Sequence, residues 1–335
     1  MLVFAYLVLF LAVLILASFI GTAPWGPTVV WDSFRGIGDG NIFHYWFQLR
    51  FRRVIFAAAV GAALALCGSV FQAVLRNPLA EPYVLGISSG ASVGAVAAIW
   101  LLPGLSHVGG AAGEFGITAS AFAGALGSIL LLLGLARWGK LYDPVSLILC
   151  GVVLNAIFVA LILFFYSLAP QHQVVTSLHW LMGNLDAESY LGTYHIANAL
   201  VAVIVGGGFF IVVARHLDLL SLGEEEAADL GIAPRRFRMV VLVVASLVTG
   251  MVVAATGPIG FVGLVVPHIV RRIHGPSHRR LLPLSLLGGG MLLVLADTVA
   301  RSVIPGQPVP AGVITALLGG PFFLVLLVRQ KWGRG

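Results

Sequence analysis

Apolar runs close to the length of a membrane-crossing helix recur along this chain, and they restrict its fold more than any motif does. VFAYLVLFLAVLILASFIG (3–21) and MVVLVVASLVTGMVVAA (239–255) are two of them. At ~1.5 Å of rise per residue, each crosses most of a ~30 Å hydrocarbon core as a helix. Composition agrees. Of 335 residues, 59% are hydrophobic and only 10% charged, whereas soluble domains carry about 25% charged residues. There are too few charges to cover a water-facing surface. The expected fold is all-α, a polytopic helical membrane protein forming one transmembrane domain over 1–335.

About ten spans are expected, near 3–21, 54–75, 84–102, 117–136, 145–168, 192–214, 239–256, 258–270, 281–299 and 311–328. The first lacks a basic residue before its apolar core and a small-residue cleavage site, so it reads as a membrane helix and not a signal peptide. The eighth is short, follows Gly257 and Pro258, and contains Pro267 and His268. That pattern suits a broken helix, which a bilayer tolerates where protein or water satisfies the backbone. Cys67 and Cys150 fall within apolar segments and read as small packing residues.

An even number of spans puts both termini on one side, and the basic residues choose that side. With the termini cytoplasmic, fourteen Lys and Arg fall inside: Arg76, Arg137, Lys140, Arg215, Arg235, Arg236, Arg238, Arg271, Arg272, Arg279, Arg280, Arg329, Lys331 and Arg334. Five fall outside: Arg35, Arg50, Arg52, Arg53 and Arg301. This obeys the positive-inside rule. The net charge of +6 is therefore a topology marker and not the footprint of nucleic acid. For the outer arginines two readings stand side by side. Their guanidinium groups either hold helix ends at the headgroups or form a docking surface for an acidic partner.

Two motifs mimic enzyme signatures. GLARWGKL (134–141) fits G-x-x-x-x-G-K, but Leu141 stands where a P-loop needs Ser or Thr, and the segment follows an apolar helical run instead of a strand. GISSG (86–90) fits G-x-S-x-G, yet it runs straight into an apolar helix and not through a strand-to-helix elbow. Its small residues suit close helix packing. No nucleotide site and no nucleophile at Ser88 are expected. His172 and His179 fall in an outer loop, where solvation explains them.

Two polar segments remain. RNPLAEPYVLGISSG (76–90) gathers Arg76, Asn77, Glu81 and two prolines between apolar runs. In the loop about 215–238, SLGEEEAADLGIAP (221–234) sets Ser221 and Glu224 in the S-x-x-E spacing of a capping box. Three glutamates crowd the first turn, favoured there by the helix dipole, and Gly231 followed by Pro234 ends the segment. A short helix outside the membrane is expected.

RNPLAEPYVLGISSGAS (76–92), GPIGFVGLVVPHIVRR (257–272), LADTVAR (295–301) and PVPAGVITALLGGPFF (308–323), in that order, resemble the FecCD or B12-permease family. These are membrane subunits of bacterial ABC importers for iron-siderophores, haem and vitamin B12. The resemblance runs from about Arg50 to the C-terminus. It implies ten helices per subunit, a homodimer with the translocation path along its interface, and residence in the bacterial inner membrane. It also implies two separate ATPase subunits carrying ATP and Mg2+, and a periplasmic or lipid-anchored substrate-binding protein. The chain itself is expected to bind no cofactor or metal and to catalyse no reaction.

The resemblance also assigns residues. Arg50, Arg53 and Arg301 match positions that receive acidic groups of the binding protein; Arg52 has no counterpart. Ser221, Leu222, Gly223, Glu224, Ala227, Ala228, Leu230 and Gly231 match the helix that seats in the ATPase subunit. Asn77, Pro78 and Leu79 fall where the family narrows the cytoplasmic exit, and Pro144 and Val145 at the companion constriction. Proline at 78 and 82 stiffens the first constriction by fixing φ and restricting the preceding residue. The family's second constriction often uses small hydroxylated residues, from which Asp143, Pro144 and Val145 depart. The contrasting classes are an ion-driven secondary transporter and, more remotely, an intramembrane serine hydrolase. The former usually carries ionisable groups near the midplane, which these spans nearly lack, Asp297 lying toward the outer end of its helix.

Overall fold

Helix α1 (Leu2–Phe19) is apolar all round, and almost none of it is buried within the protein, whereas α2 (Gly40–Val74) is buried over 94% of its most apolar window. This contrast locates the core: α2 is the central pillar and α1 a peripheral, lipid-facing helix. The computed structural model describes residues 2–20, 40–101, 111–185, 193–304 and 309–332. The remaining helices are α3 (Ile87–Leu101), α4 (Ala111–Gly139), α5 (Pro144–Leu168), α6 (Gln171–Leu181), α7 (Thr193–Val212), α8 (Ala214–Leu222), α9 (Glu224–Asp229), α10 (Pro234–Thr256), α11 (Val262–His274), α12 (His278–Ser302) and α13 (Ala311–Trp332). Among the described residues all regular structure is helical.

Ten of these helices occupy the ten expected spans; α6, α8 and α9 lie in connections. Seven are long and apolar enough to cross a bilayer, while α3 and α13 are shorter apolar helices. Helix α11 is the expected broken span, with 13 residues and Pro267 inside it. It begins at Phe261, whose φ of +69° is left-handed backbone, unusual for a bulky residue. Helix α6 was expected as plain loop. Its polar residues lower its hydropathy, yet it is helical, with Gln173 and Ser177, four apart, on its buried face.

Small residues let the helices approach α2 closely. A Cβ built on Gly68 would lie 1.9 Å from the carbonyl oxygen of Gly263 in α11, and one on Gly61 would lie 2.3 Å from that of Gly289 in α12. Such contact needs glycine on the helix face, as is common where lipid supplies no hydrophobic drive between helices. Gln72 completes the α2–α11 seam. Its Nε2 donates to Gly263 O at 3.2 Å, and its Oε1 accepts from Arg271 Nη1 at 3.1 Å. Val74 ends this pillar, and Arg53 stands about 30 Å from it along the helix axis.

The same packing disposes of both enzyme mimics. Ser88 is buried in the first turn of α3, among small residues that press on α4 at Gly124 and Ser128. Residues 134–139 are the last turns of α4, ended by Lys140 in the left-handed region at φ +54°.

Candidate functional sites at the two ends of the bundle

At the end of the bundle that carries α8 and α9, the chain leaves α2 through a tight reversal. Arg76 adopts a left-handed φ of +46°; Asn77 N donates to Gln72 O at 3.2 Å and Arg76 N to Ala73 O at 3.3 Å. This is a Schellman C-cap built on a non-glycine residue. Asn77 Oδ1 then accepts from Leu79 N at 2.9 Å. Pro78 is exposed, whereas Asn77 and Leu79 are half-buried. Pro78 cannot continue the helix, and the cap satisfies only the carbonyls of Gln72 and Ala73, so that of Val74 is left without a helical donor.

The companion segment is a helix start. Asp143 is the N-cap of α5, and its Oδ2 accepts from Ser146 N at 2.9 Å, with Pro144 in the first turn. That amide bond holds the Asp143 carboxyl below its ordinary pKa. Val145 is 66% exposed and so presents an apolar side chain away from the subunit.

Between these segments lies Arg238 in the second turn of α10, 1% exposed and the largest fully buried side chain among the described residues. Its Nε donates to Val74 O at 3.2 Å, its Nη1 to Tyr142 O at 2.9 Å, and its Nη2 to Glu224 Oε1 at 2.5 Å. One guanidinium therefore joins the end of α2, the residue before the α5 N-cap, and the first residue of α9. In the sequence, Arg238 stands out only as a topology charge. Pro78, which bars the helix from continuing, is the available clue that Val74 needs a donor from elsewhere.

Helices α8 and α9 correct two expectations. Ser221 and Glu224 form no capping box: Ser221 is still inside α8, where its Oγ donates to Leu217 O at 2.8 Å. The N-cap of α9 is Gly223, without a side-chain cap. The Ser221 hydroxyl is used within its own helix, and Arg238 claims the Glu224 carboxylate, so neither serves as a cap. The single expected helix is thus two helices broken at Gly223. Gly231 does end α9, at φ +85°, with Ile232 N donating to Ala227 O at 3.0 Å. Ala227 is fully buried against the rest of the chain, while Ala228, Leu222 (67%) and Leu230 (59%) face outward. Helix α8 is anchored from below: Arg76 Nη2 donates to Leu220 O at 3.0 Å, and Asp218 Oδ1 accepts from His278 N at 2.8 Å.

At the opposite end, Asp297 of α12 sits between two arginines. Arg53 donates from Nη2 at 2.7 Å and Nε at 3.0 Å, and Arg301 Nε lies 3.0 Å from the second carboxylate oxygen. Arg301 Nη1 also donates to Ile20 O at 3.3 Å. All three residues are buried, Arg50 is half-buried, and Arg52 is exposed. Arg53 and Arg301, expected as outward charges, are thus brought together by a carboxylate and turned inward. Their positive charge exceeds that of Asp297 by one.

A third feature was missed in the sequence. The 75–86 segment carries Glu81 to Phe261, whose N–H donates to Glu81 Oε2 at 3.2 Å. The two residues line an open cavity of about 610 Å³ with Tyr83, Met182, Gly312 and Leu317. Both irregular segments, before α3 and before α11, meet at this cavity.

Comparison with known proteins covers nearly the whole chain. The model of the FecCD transport family matches residues 8–329. The hemin transport system permease HmuU of Yersinia pestis is 37% identical, over 96% of this chain and 95% of its own. The cobalamin import system permease BtuC of Halobacterium salinarum is 42% identical, over 83% of this chain and 72% of its own. A solved structure described as an inward-facing metal-chelate type ABC transporter superposes with a TM-score of 0.81 at 29% identity, covering 97% of this chain and 98% of that one.

Proposed function

The chain belongs to the FecCD transport family, a multi-pass permease subunit of an ABC importer, and on that premise we propose how it is assembled and driven. Two copies enclose a path for an iron chelate (a ferric siderophore or haem) or cobalamin at their shared interface in a bacterial inner membrane. Two separate ATPase subunits, which hold ATP and Mg2+, attach at the cytoplasmic end formed by α8 and α9. A substrate-binding protein delivers cargo at the Asp297 end, against Arg50, Arg53 and Arg301.

The observation that carries the ATPase assignment is the exposed surface of the α8–α9 corner. Outside the apolar spans, Leu222 and Leu230 are exposed on either side of Ala228, while Ala227 fixes the helix to its own chain. An apolar pair flanking a short, anchored helix suits insertion into a groove of a soluble partner. ATP-driven closure of the ATPase pair moves α9, and the constrictions at Asn77, Pro78 and Leu79 and at Pro144 and Val145 respond. The permease performs no bond chemistry, and its path walls bind cargo weakly enough to release it.

The purified chain is expected to hydrolyse no ATP, and co-expression with its cognate ATPase to give a complex of two copies of each subunit. Reconstituted with the binding protein, that complex imports the cargo at the expense of ATP. ATP turnover by the permease alone, persisting after contaminating ATPases are removed, would overturn the reading.

A further inference from the structure

We propose that Arg238 is the positioning residue that makes α9 and the two constrictions move as one unit, an inference that rests on the coupling role proposed for α9. A signal arriving at α9 has to reach two places that are separate in sequence, the 77–79 segment and the start of α5. Arg238 reaches both. Its Nε holds Val74 O, three residues before Asn77, and its Nη1 holds Tyr142 O, two residues before Pro144. The third arm, Nη2, holds Glu224 at the head of α9.

Neither carbonyl has its ordinary backbone partner. Val74 O stands at the end of α2, past the two carbonyls that the Schellman cap satisfies, so it has no intrahelical donor. The amide of Ser146, four residues after Tyr142, is occupied by Asp143 Oδ2. Arg238 is thus the donor that completes both segments, and a buried carbonyl left without a donor is costly. A guanidinium keeps its charge and presents its donors in a rigid plane. The three acceptors therefore cannot separate without breaking a charge-assisted bond. Displacement of Glu224 either carries Val74 and Tyr142 along or exposes an unpaired buried cation, and the first course is favoured. Two further contacts run in parallel. Arg76 donates to Leu220 O in α8, and the Arg235 guanidinium lies 3.1 Å over the Tyr142 ring. Lysine at 238 could not serve three acceptors in this fork geometry.

The test uses the assembled transporter with its ATPase and binding protein in proteoliposomes and measures cargo imported per ATP hydrolysed. Arg238→Lys and Glu224→Ala are each expected to lower that ratio about tenfold or more, the effect of losing one hydrogen bond to a charged group. Spin labels on Leu79 and Val145 read the constrictions, and a label on Glu225 reads α9. In Arg238→Lys the Glu225 label is expected still to respond to trapped ATP while the Leu79 and Val145 labels lose their response. A purely structural role would lower thermal stability and leave that response intact. Should Arg238→Lys fail to assemble, Glu224→Ala decides, because it keeps both carbonyl bonds and removes only the arm to α9. Leu230→Asp separates this inference from the reading beneath it. Wild-type assembly and transport in Leu230→Asp would overturn the coupling role of α9 itself. Uncoupling in Leu230→Asp, together with a wild-type ratio and wild-type label responses in Arg238→Lys and Glu224→Ala, would overturn the Arg238 link alone.

Discussion

Asp297 is the residue on which the outer end of the bundle depends. Its carboxylate balances Arg53, which starts the membrane crossing of α2, and Arg301, at the last turn of α12. Removing the shared anion would leave two buried guanidinium groups facing each other, and breaking a buried pair from one side costs about 3–5 kcal/mol. Asp297→Asn should therefore lower the melting temperature of the detergent-solubilised permease clearly. A combined Asp297→Leu, Arg53→Met, Arg301→Met variant should recover much of the loss, since apolar groups of similar volume often replace buried ions at little cost. Equal melting of Asp297→Asn and wild type would show that the carboxylate contributes nothing. Sequence reading placed Asp297 near its helix end but did not pair it. The i,i+4 spacing of Asp297 and Arg301 was legible in LADTVAR, whereas the Arg53 contact, 244 residues away in the chain, leaves no periodicity to detect.

Among the elements, the membrane-crossing helices were legible because bilayer thickness fixes their length and apolar content. Even the irregular α11 was visible through Pro267 and its shortness. Of the helices in connections, α9 was legible from its glutamates and Gly231. Helices α6 and α8 were not, because they are short and interleave polar with apolar residues. The S-x-x-E spacing at Ser221 misled for a different reason. Local patterns assume local partners, and here Glu224 is held by Arg238, fourteen positions on and beyond the turn at Gly231. The α2–α11 seam gives an element-scale prediction. A side chain at position 68 would begin 1.9 Å from Gly263 O, a backbone atom that cannot rotate away. Gly68→Val should push α11 off α2, break the Gln72–Arg271 bridge and abolish folded protein, where Gly208→Ala, with open space at its Cβ, should be accepted. Monodisperse elution of Gly68→Val on size-exclusion chromatography at wild-type yield would refute the seam.

Across the whole molecule, the two ends have opposite mechanical characters. The α8–α9 end concentrates long-range hydrogen bonds around Arg238 and Arg76, while the Asp297 end holds a compact, positively charged cluster closed by one carboxylate. That difference shapes what docking at the second end can be. Arg53 and Arg301 are buried and engaged by Asp297, so an incoming acidic group meets the excess charge of the cluster together with the partly exposed Arg50, instead of three loose side chains. Partly exposed charges govern mainly association rate and its salt dependence, whereas desolvated pairs govern dissociation. Arg50→Glu should therefore slow association of the cognate binding protein about tenfold at low salt. The gap should narrow as salt rises, because such charges are screened over ~8–10 Å near physiological ionic strength. Arg301→Gln should mainly speed dissociation, through loss of cluster geometry. A kinetic binding titration on the reconstituted permease, at low and high salt, measures both rates. Unchanged association and salt dependence in Arg50→Glu, with unchanged dissociation in Arg301→Gln, would mean that these arginines serve only to hold α2 and α12 at the membrane surface, and that the binding protein is recognised elsewhere.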